Sequence, residues 1–221
     1  LEARELLRQA VRIDPNFAPA WAQLGGVINF IGPETSPDAN GPENSWHDEA
    51  LAMARRSIAL DPKLAEGHAM LAFIQGFDTD EGRAHLRHAL ALRPNSPQIL
   101  YWHGLAAAYA GDLATSRKAI RRALEIDPLW RRPIESAGQW AIWNGRREEA
   151  YRYVSRLRRA DPSAAVEIEM AFAREEGDLS RVIEIGRREP MIVGTTSAKM
   201  TLSWSLIELG YVQEGLLLGD A

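Results

Sequence analysis

The chain of 221 residues contains no cysteine, which excludes disulfide bonds and thiolate metal sites. It has no long apolar run either, because the longest one, "ILYWHGLAAAYAG" at 99–111, is too short to span a bilayer and contains His103. A Gly-rich phosphate loop, a nucleophile-elbow serine and an HExxH motif are also missing. We therefore expect no enzymatic activity, no cofactor and no membrane segment in this chain.

No secretion signal is visible, and the chain begins at Leu1 rather than Met, so we expect a fragment of a larger protein. The lack of cysteine does not decide the compartment. We favour the cytoplasm, and the alternative is the periplasm if the parent protein is membrane-anchored.

The formal net charge of -4 gives the chain no overall attraction to nucleic acid or to an anionic membrane. One local excess exists between 117 and 159, where twelve Lys and Arg residues face five acidic ones. Clustered arginine binds phosphate or an acidic protein surface. Because most of these residues lie on predicted outer helices, a solvated surface is the favoured interpretation. An acidic protein partner comes next, and nucleic acid is the least favoured.

The chain has five histidines, of which His85 and His88 share one helix face at i and i+3. The sequence offers no third ligand beside them. We therefore expect a solvent-facing pair and no metal site.

Prolines that would break helices recur at a nearly constant spacing. They fall at 15, 62, 94, 128, 162 and 190, with gaps of 47, 32, 34, 34 and 28 residues. Gly111, Gly145 and Gly177 keep the same period. A period of about 34 residues is typical of helical repeat proteins, so each repeat is predicted as helix, glycine turn, helix and proline stop.

These residues resemble the tetratricopeptide repeat family. The match is clearest in 95–128, where the family's marker positions hold Leu100, Gly104, Gly111, Ala123 and Pro128. The resemblance implies an all-α, right-handed α-solenoid of stacked helix–turn–helix units. It divides a single solenoid over 1–221 into a partial repeat (1–15), a repeat with an inserted loop at 33–45 (16–62), four further repeats (63–94, 95–128, 129–162 and 163–190) and a divergent terminal repeat (191–221). We favour a passive role for the inserted loop over a lid.

In this family the first helix of each repeat lines an inner groove. The resemblance therefore implies a partner-binding groove whose candidate residues are Phe30, Met70, Phe73, Phe77, Tyr101, Trp102, Tyr109, Gln139 and Trp143. Asn29, Gln98, Arg132, Glu135, Arg174 and Trp204 occupy further groove positions. Aromatic side chains dominate interface energetics, which favours a protein or peptide ligand. The alternative is that many of these rings fill gaps between repeats.

A non-catalytic protein-binding scaffold is thus the predicted function. The stretches at 57–74 and 88–129 also resemble the repeat segment of bacterial winged-helix regulators and class III nucleotide cyclases, which implies a regulatory or sensory interaction region. The alternative is a homodimerisation module. Its candidate contacts are Leu216, Leu217 and Leu218, because the chain's apolar ending lacks a polar cap and should be covered by more chain or by a partner.

Overall fold

The computed structural model describes residues 2–35, 45–189 and 196–219. These residues form helices and connecting turns, without a strand among them. The described part contains thirteen helices: α1 (Glu2–Ile13), α2 (Ala18–Thr35), α3 (Ser45–Leu60), α4 (Ala65–Gln75), α5 (Asp80–Leu92), α6 (Pro97–Tyr109), α7 (Leu113–Ile126), α8 (Arg131–Trp143), α9 (Arg147–Leu157), α10 (Pro162–Glu175), α11 (Leu179–Arg188), α12 (Thr196–Glu208) and α13 (Val212–Gly219).

The helices group into two compact units, 1–126 (unit 1) and 127–221 (unit 2). In unit 1, α1 packs on α2, and three helix hairpins follow: α2 with α3, α4 with α5, and α6 with α7. In unit 2 the hairpins are α8 with α9, α10 with α11, and α12 with α13. The all-α helix–turn–helix architecture is confirmed, and the single solenoid over 1–221 stays a prediction.

Asp–Pro turns end three of the helices in the same way. The helices α1, α3 and α7 stop two residues before Pro15, Pro62 and Pro128, as the sequence predicts. In each turn the preceding aspartate accepts a hydrogen bond from the backbone N–H two residues further on, at N···O distances of 2.9, 2.9 and 3.3 Å. At each of these three sites proline stops the helix and aspartate closes the turn.

Pro162 has a different role from the stop that the period predicts. Helix α9 already ends at Leu157, and Pro162 is the first residue of α10. The Asp161 carboxylate accepts from the Ala164 N–H at 2.9 Å and caps this helix. Proline suits this position because the first helical N–H has no intrahelical partner.

The predicted glycine turns at 111, 145 and 177 are confirmed. Gly111 has φ 79°, and the Asp112 N–H donates to the Ala107 carbonyl over 2.8 Å. The same backbone arrangement recurs at the glycines of 145, 177 and 210. A residue without a β-carbon adopts this left-handed geometry at low cost, which explains why glycine recurs there.

Helix α2 is longer than its repeat pattern predicts. The helix continues past Gly32 as far as Thr35. In the repeat pattern, Gly32 stands at the position where the first helix would end in a glycine turn. A β-carbon on Gly32 would lie 2.6 Å from the Trp46 ring of α3, so this glycine serves helix–helix contact and not a turn. Most of the predicted loop at 33–45 lies outside the described residues.

Small residues let paired helices approach each other closely. A β-carbon on Gly25 of α2 would lie 2.8 Å from the Ala50 carbonyl oxygen and 3.3 Å from the Ala54 nitrogen of α3. Ala50 and Ala54 are themselves fully buried. The hairpin thus packs backbone against backbone, and its larger apolar residues reach the adjoining helices α1 and α4.

Gly25→Ala tests this contact against its neighbour Gly26→Ala. Both substitutions raise helix propensity equally, but only the first places a methyl group against backbone atoms of α3; at Gly26 the methyl group meets the flexible Met70 side chain. We expect Gly25→Ala to be less stable than Gly26→Ala by about 1–3 kcal/mol. Scanning calorimetry should show the lower unfolding midpoint for Gly25→Ala, and an equal or higher midpoint would contradict the contact.

Candidate protein-binding surface

Three aromatic rings of unit 1 form one cluster on the first helices α4 and α6. The rings of Phe73 and Trp102 stack at an angle of 11° with their centroids 5.1 Å apart. The Phe77 ring, just beyond the end of α4, lies 5.9 Å from Trp102 and 6.1 Å from Phe73. We call these three residues the ring cluster.

The ring cluster is part of the packing between successive hairpins. All three side chains are half-buried. Trp102 packs against the core formed by α1–α4 and also against the core formed by α4–α6. Of the two interpretations left open by the sequence, gap filling therefore accounts for much of the buried area of these rings, and their outer edges remain accessible.

Met70 and Tyr101 lie in the core, although the resemblance implies a place for both in the groove. Each is only 8% exposed. The Met70 thioether fills the space beside Gly26 of α2. Their side chains thus support the surface from behind and are not available for contact with a partner.

Two other aromatic residues of unit 1 stand in solvent. Phe30 of α2 is 76% exposed and Tyr109 of α6 is 70% exposed. Tyr109 lies two helical turns beyond Trp102, on the same face of α6. Exposed rings of this size are costly to leave in water and mark interaction surfaces when they accompany other apolar side chains.

The first helices of unit 2 present a more polar face. Trp143 is 65% exposed, and its Nε1–H donates to a Glu175 oxygen over 3.2 Å. One turn earlier on α8, the Gln139 Nε2 is buried without a hydrogen-bond partner among the described residues. Arg174 donates to Ser205 and Glu208 of α12 at 3.0 and 2.5 Å.

Trp204 and Arg131 complete this face of unit 2. Trp204 is 59% exposed. Arg131 bonds to Glu135 and to Glu167 over 2.7 and 2.5 Å. Burial alone would lower the pKa of Arg131, but these two hydrogen bonds outweigh burial and raise it. The face therefore alternates exposed tryptophans with paired charges.

The arginine excess at 117–159 is reduced in space by acidic residues that lie outside that stretch. Three arginines of the stretch pair with glutamates beyond it: Arg131 with Glu167, Arg147 with Glu176, and Arg158 with Glu169. Glu169 of α10 is 8% exposed and receives both Arg158 and Arg181, the latter at 3.0 Å. A count along the sequence overstates the positive charge because it omits partners from the next hairpin.

A third histidine joins the pair that the sequence singles out. His68 of α4 contacts both His85 and His88 of α5, and His85 is half-buried, so the pair is not simply solvent-facing. The sequence contained a signal for this contact. His68 lies eight residues before Gly76 and His85 lies nine residues after it, so a hairpin that turns near Gly76 brings the two histidines side by side. Among the described residues, no group of three histidine, aspartate or glutamate side chains is arranged to hold a metal ion.

The last described helix exposes two of the three predicted self-association residues. Leu217 is 76% exposed and Leu216 is 55% exposed. Leu218 is half-buried and packs against the core formed by α10, α11 and α12. Leu218 therefore anchors α13, and Leu216 and Leu217 define an apolar surface that we call the α13 patch.

A surface cavity of about 380 Å³ lies near this helix, between α11 and the turn that leads into α13. Its lining residues are Ser180, Ile183, Glu184, Arg187, Leu209 and Tyr211. The Arg187 guanidinium lies 5.5 Å from the centre of the Tyr211 ring and pairs with Glu214 at 2.9 Å. None of the helices within the described ranges has the length and apolar character of a membrane span.

Comparison with known proteins supports the repeat assignment. Residues 97–128 match the model of the tetratricopeptide repeat family. No protein of curated function is significantly similar in sequence. The match falls on α6 and α7, the hairpin that holds Trp102 and Tyr109.

Solved structures similar to the chain include two that are described as tetratricopeptide repeat proteins and one pilus biogenesis factor. One, a tetratricopeptide repeat protein from Parabacteroides merdae ATCC 43184, is 15% identical with a TM-score of 0.67, over 97% of this chain and 82% of its own. The type IV pilus biogenesis factor PilW is 16% identical with a TM-score of 0.64, over 89% and 87%. YrrB, described as a TPR protein with an unusual peptide-binding site, is 13% identical with a TM-score of 0.52, over 88% and 96%. The fold is that of these repeat proteins.

Trp102→Ala and Tyr109→Ala should separate packing from surface exposure. Because Trp102 joins two cores, we expect its removal to lower the free energy of unfolding by about 2–3 kcal/mol, below the range for a fully buried ring. Tyr109 is largely in solvent, so its replacement should change stability by less than about 0.5 kcal/mol. Urea denaturation of both variants measures the difference, and equal losses would refute it.

Proposed function

We propose that the chain is a non-catalytic scaffold that binds a protein or peptide segment on the first-helix face of unit 1, formed by α2, α4 and α6. The observation that carries the proposal is the exposure of Phe30 and Tyr109 on the same set of helices that holds the ring cluster. Covering these two rings would remove a large apolar area from water, and each Å² buried stabilises the complex by about 25 cal/mol.

The ring cluster makes this face suitable for binding because its rings are already ordered. Phe73 and Trp102 are fixed by their mutual stacking and by the core behind them. A ligand that packs on their outer edges pays little conformational entropy for ordering them. Residues of this type in a rigid setting are the usual anchors of protein interfaces.

An extended or helical segment is the ligand class that the surface favours. The candidate side chains are distributed along successive helices and do not surround one deep cavity. A ligand must therefore run across several helices to reach Phe30 and Tyr109 together. The peptide-binding site named for YrrB, which has the same fold, supports this assignment by analogy.

Peptide selection followed by matched substitutions tests the proposal. A displayed library of random peptides is selected on the chain, and enriched peptides are titrated by calorimetry against wild type, Phe30→Ala and Tyr109→Ala. We expect each substitution to weaken binding at least tenfold, or about 1.4 kcal/mol, because each removes an exposed anchor.

Phe17→Ala is the matched control. Phe17 is 49% exposed but lies in the turn between α1 and α2, away from the first-helix face. Its replacement should leave peptide affinity unchanged. If no peptide is enriched, or if enriched peptides bind all variants equally, then the first-helix face of unit 1 is not the binding surface.

We infer further that the scaffold is a regulatory interaction region of a larger bacterial signalling protein. The support is the resemblance of 57–74 and 88–129 to the repeat segment of winged-helix regulators and class III nucleotide cyclases. In such a protein, occupancy of the surface would alter the contacts of an attached effector domain.

Self-association is a second candidate function, favoured by the α13 patch. Leu216 and Leu217 stand exposed on adjacent positions of α13, with Tyr211 and Val212 near the start of the same helix at 51% and 47% exposure. A second copy of the chain could cover this apolar surface by a symmetric contact.

Light scattering over a tenfold concentration range measures this association. If the α13 patch is an interface, the mass should exceed 24.6 kDa and fall on dilution. Leu217→Glu should return the monomer mass at all concentrations, because it would bury an unpaired charge. Leu129→Glu, at a 46% exposed leucine before α8, should leave the mass unchanged. A wild type that is monomeric throughout would exclude this function.

A further inference from the structure

All five histidines of the chain lie in unit 1, and three of them meet between α4 and α5. The Nδ1 atoms of His68 and His85 are 3.1 Å apart, and their rings stack with centroids 5.4 Å apart. The His88 ring meets His68 edge-on at 4.3 Å. His68 is 8% exposed. We call these three residues the histidine cluster.

The hydrogen bonds of His68 determine its protonation. Its Nε2 lies 3.1 Å from the Pro62 carbonyl oxygen, which can only accept, so Nε2 carries a proton. In the neutral ring Nδ1 is then an acceptor, and the Nδ1–H of His85 donates to it. A proton added to His68 would charge a buried ring and remove the acceptor that His85 uses.

The surroundings disfavour the charged forms. Burial lowers the pKa of His68 below its ordinary value, the Pro62 hydrogen bond opposes this, and His88 and His85 add to the lowering. Burial also lowers the pKa of His85; Glu81 of α5 opposes it, while His88 and Arg55 of α3 reinforce it. Both rings are therefore neutral partners at neutral pH.

We propose that the histidine cluster is a proton-sensitive contact that holds α4 against α5 at neutral pH and loosens their packing in mild acid. His68 lies on α4 and His85 lies on α5, so repulsion between these two rings when they are charged acts directly on that hairpin. Because α4 also carries Phe73, loosening it would disturb the ring cluster on the opposite side of the helix.

The direction of the pH dependence follows from linkage. The unfolded chain has histidines of pKa about 6.5 and binds more protons than the folded chain between that value and the lowered pKa of the folded state. The stabilising contribution is therefore fully present above about pH 6.5 and is lost as the pH falls below it. Unit 2 contains no histidine and should not respond in this range.

Hydrogen exchange at pH 7.5 and 5.5 tests the proposal, with protection factors corrected for the intrinsic exchange rate. We expect protection in α4 and α5 to fall severalfold at pH 5.5, because the unfolded chain takes up protons there that the folded histidine cluster resists. Protection in α8 and α10 should change less than about twofold, since unit 2 contains no histidine. Equal losses in both units would overturn the proposal.

His85→Asn isolates the cluster, because the asparagine amide replaces the Nδ1–H donor with a group that does not titrate. We expect this variant to keep its protection at pH 7.5 and to lose at least half of the pH dependence in α4 and α5. His88→Gln, at an exposed position, should reduce the dependence as well and serves if His85→Asn folds poorly.

His103→Gln and His47→Gln are the controls, since they remove histidines outside the cluster. Burial lowers the pKa of His103, so that variant also measures the contribution of a buried histidine that is not part of the cluster. The assignment would be refuted if both cluster variants kept the full pH dependence. It would also be refuted if the pH dependence were lost in His103→Gln instead.

Discussion

The fold depends on how closely the paired helices approach, and glycine and alanine set that distance. At Gly25 and Gly104 a side chain would run into the facing helix, at Ala50 and Ile120 respectively. A hairpin buries its apolar residues only when the next hairpin covers it, so a shift in one pair changes the packing of its neighbours. The surface rings keep their positions through these contacts on the opposite side of the same helices.

Most turns were predictable from the sequence because their chemistry is local, although Pro162 begins a helix where the period predicts a stop. A glycine with positive φ, or an aspartate followed by proline, acts within one or two residues, and the period then gives the fold class. The exposure of a side chain depends on the rotation and spacing of neighbouring helices, which a repeat pattern does not contain. For this reason Met70 and Tyr101 are buried at positions that the resemblance places in the groove, and His68 joins a cluster that no spacing rule for metal ligands describes.

The two units differ in their histidines and in the ion pairs between their first helices. Unit 1 holds every histidine as well as the ring cluster. A fall in pH towards about 5 therefore acts on unit 1 more directly than on unit 2. Unit 2 places Glu169 between two arginines and links its first helices by further ion pairs. Partly exposed pairs of this kind weaken as ionic strength rises, and unit 1 contains such pairs too, for example Arg8 with Glu49, so salt acts on both units.

Among the described helices, the larger contacts join close neighbours along the chain, and the more distant of them connect alternate helices such as α2 with α4 and α10 with α12. A chain with such short-range contacts has little loop-closure entropy to overcome, which is typical of fast-folding helical proteins. During synthesis, each hairpin can form once it has left the ribosome, and within each unit it then serves as the surface on which the next hairpin packs. The repeats of each unit can therefore fold in the order in which they are synthesised.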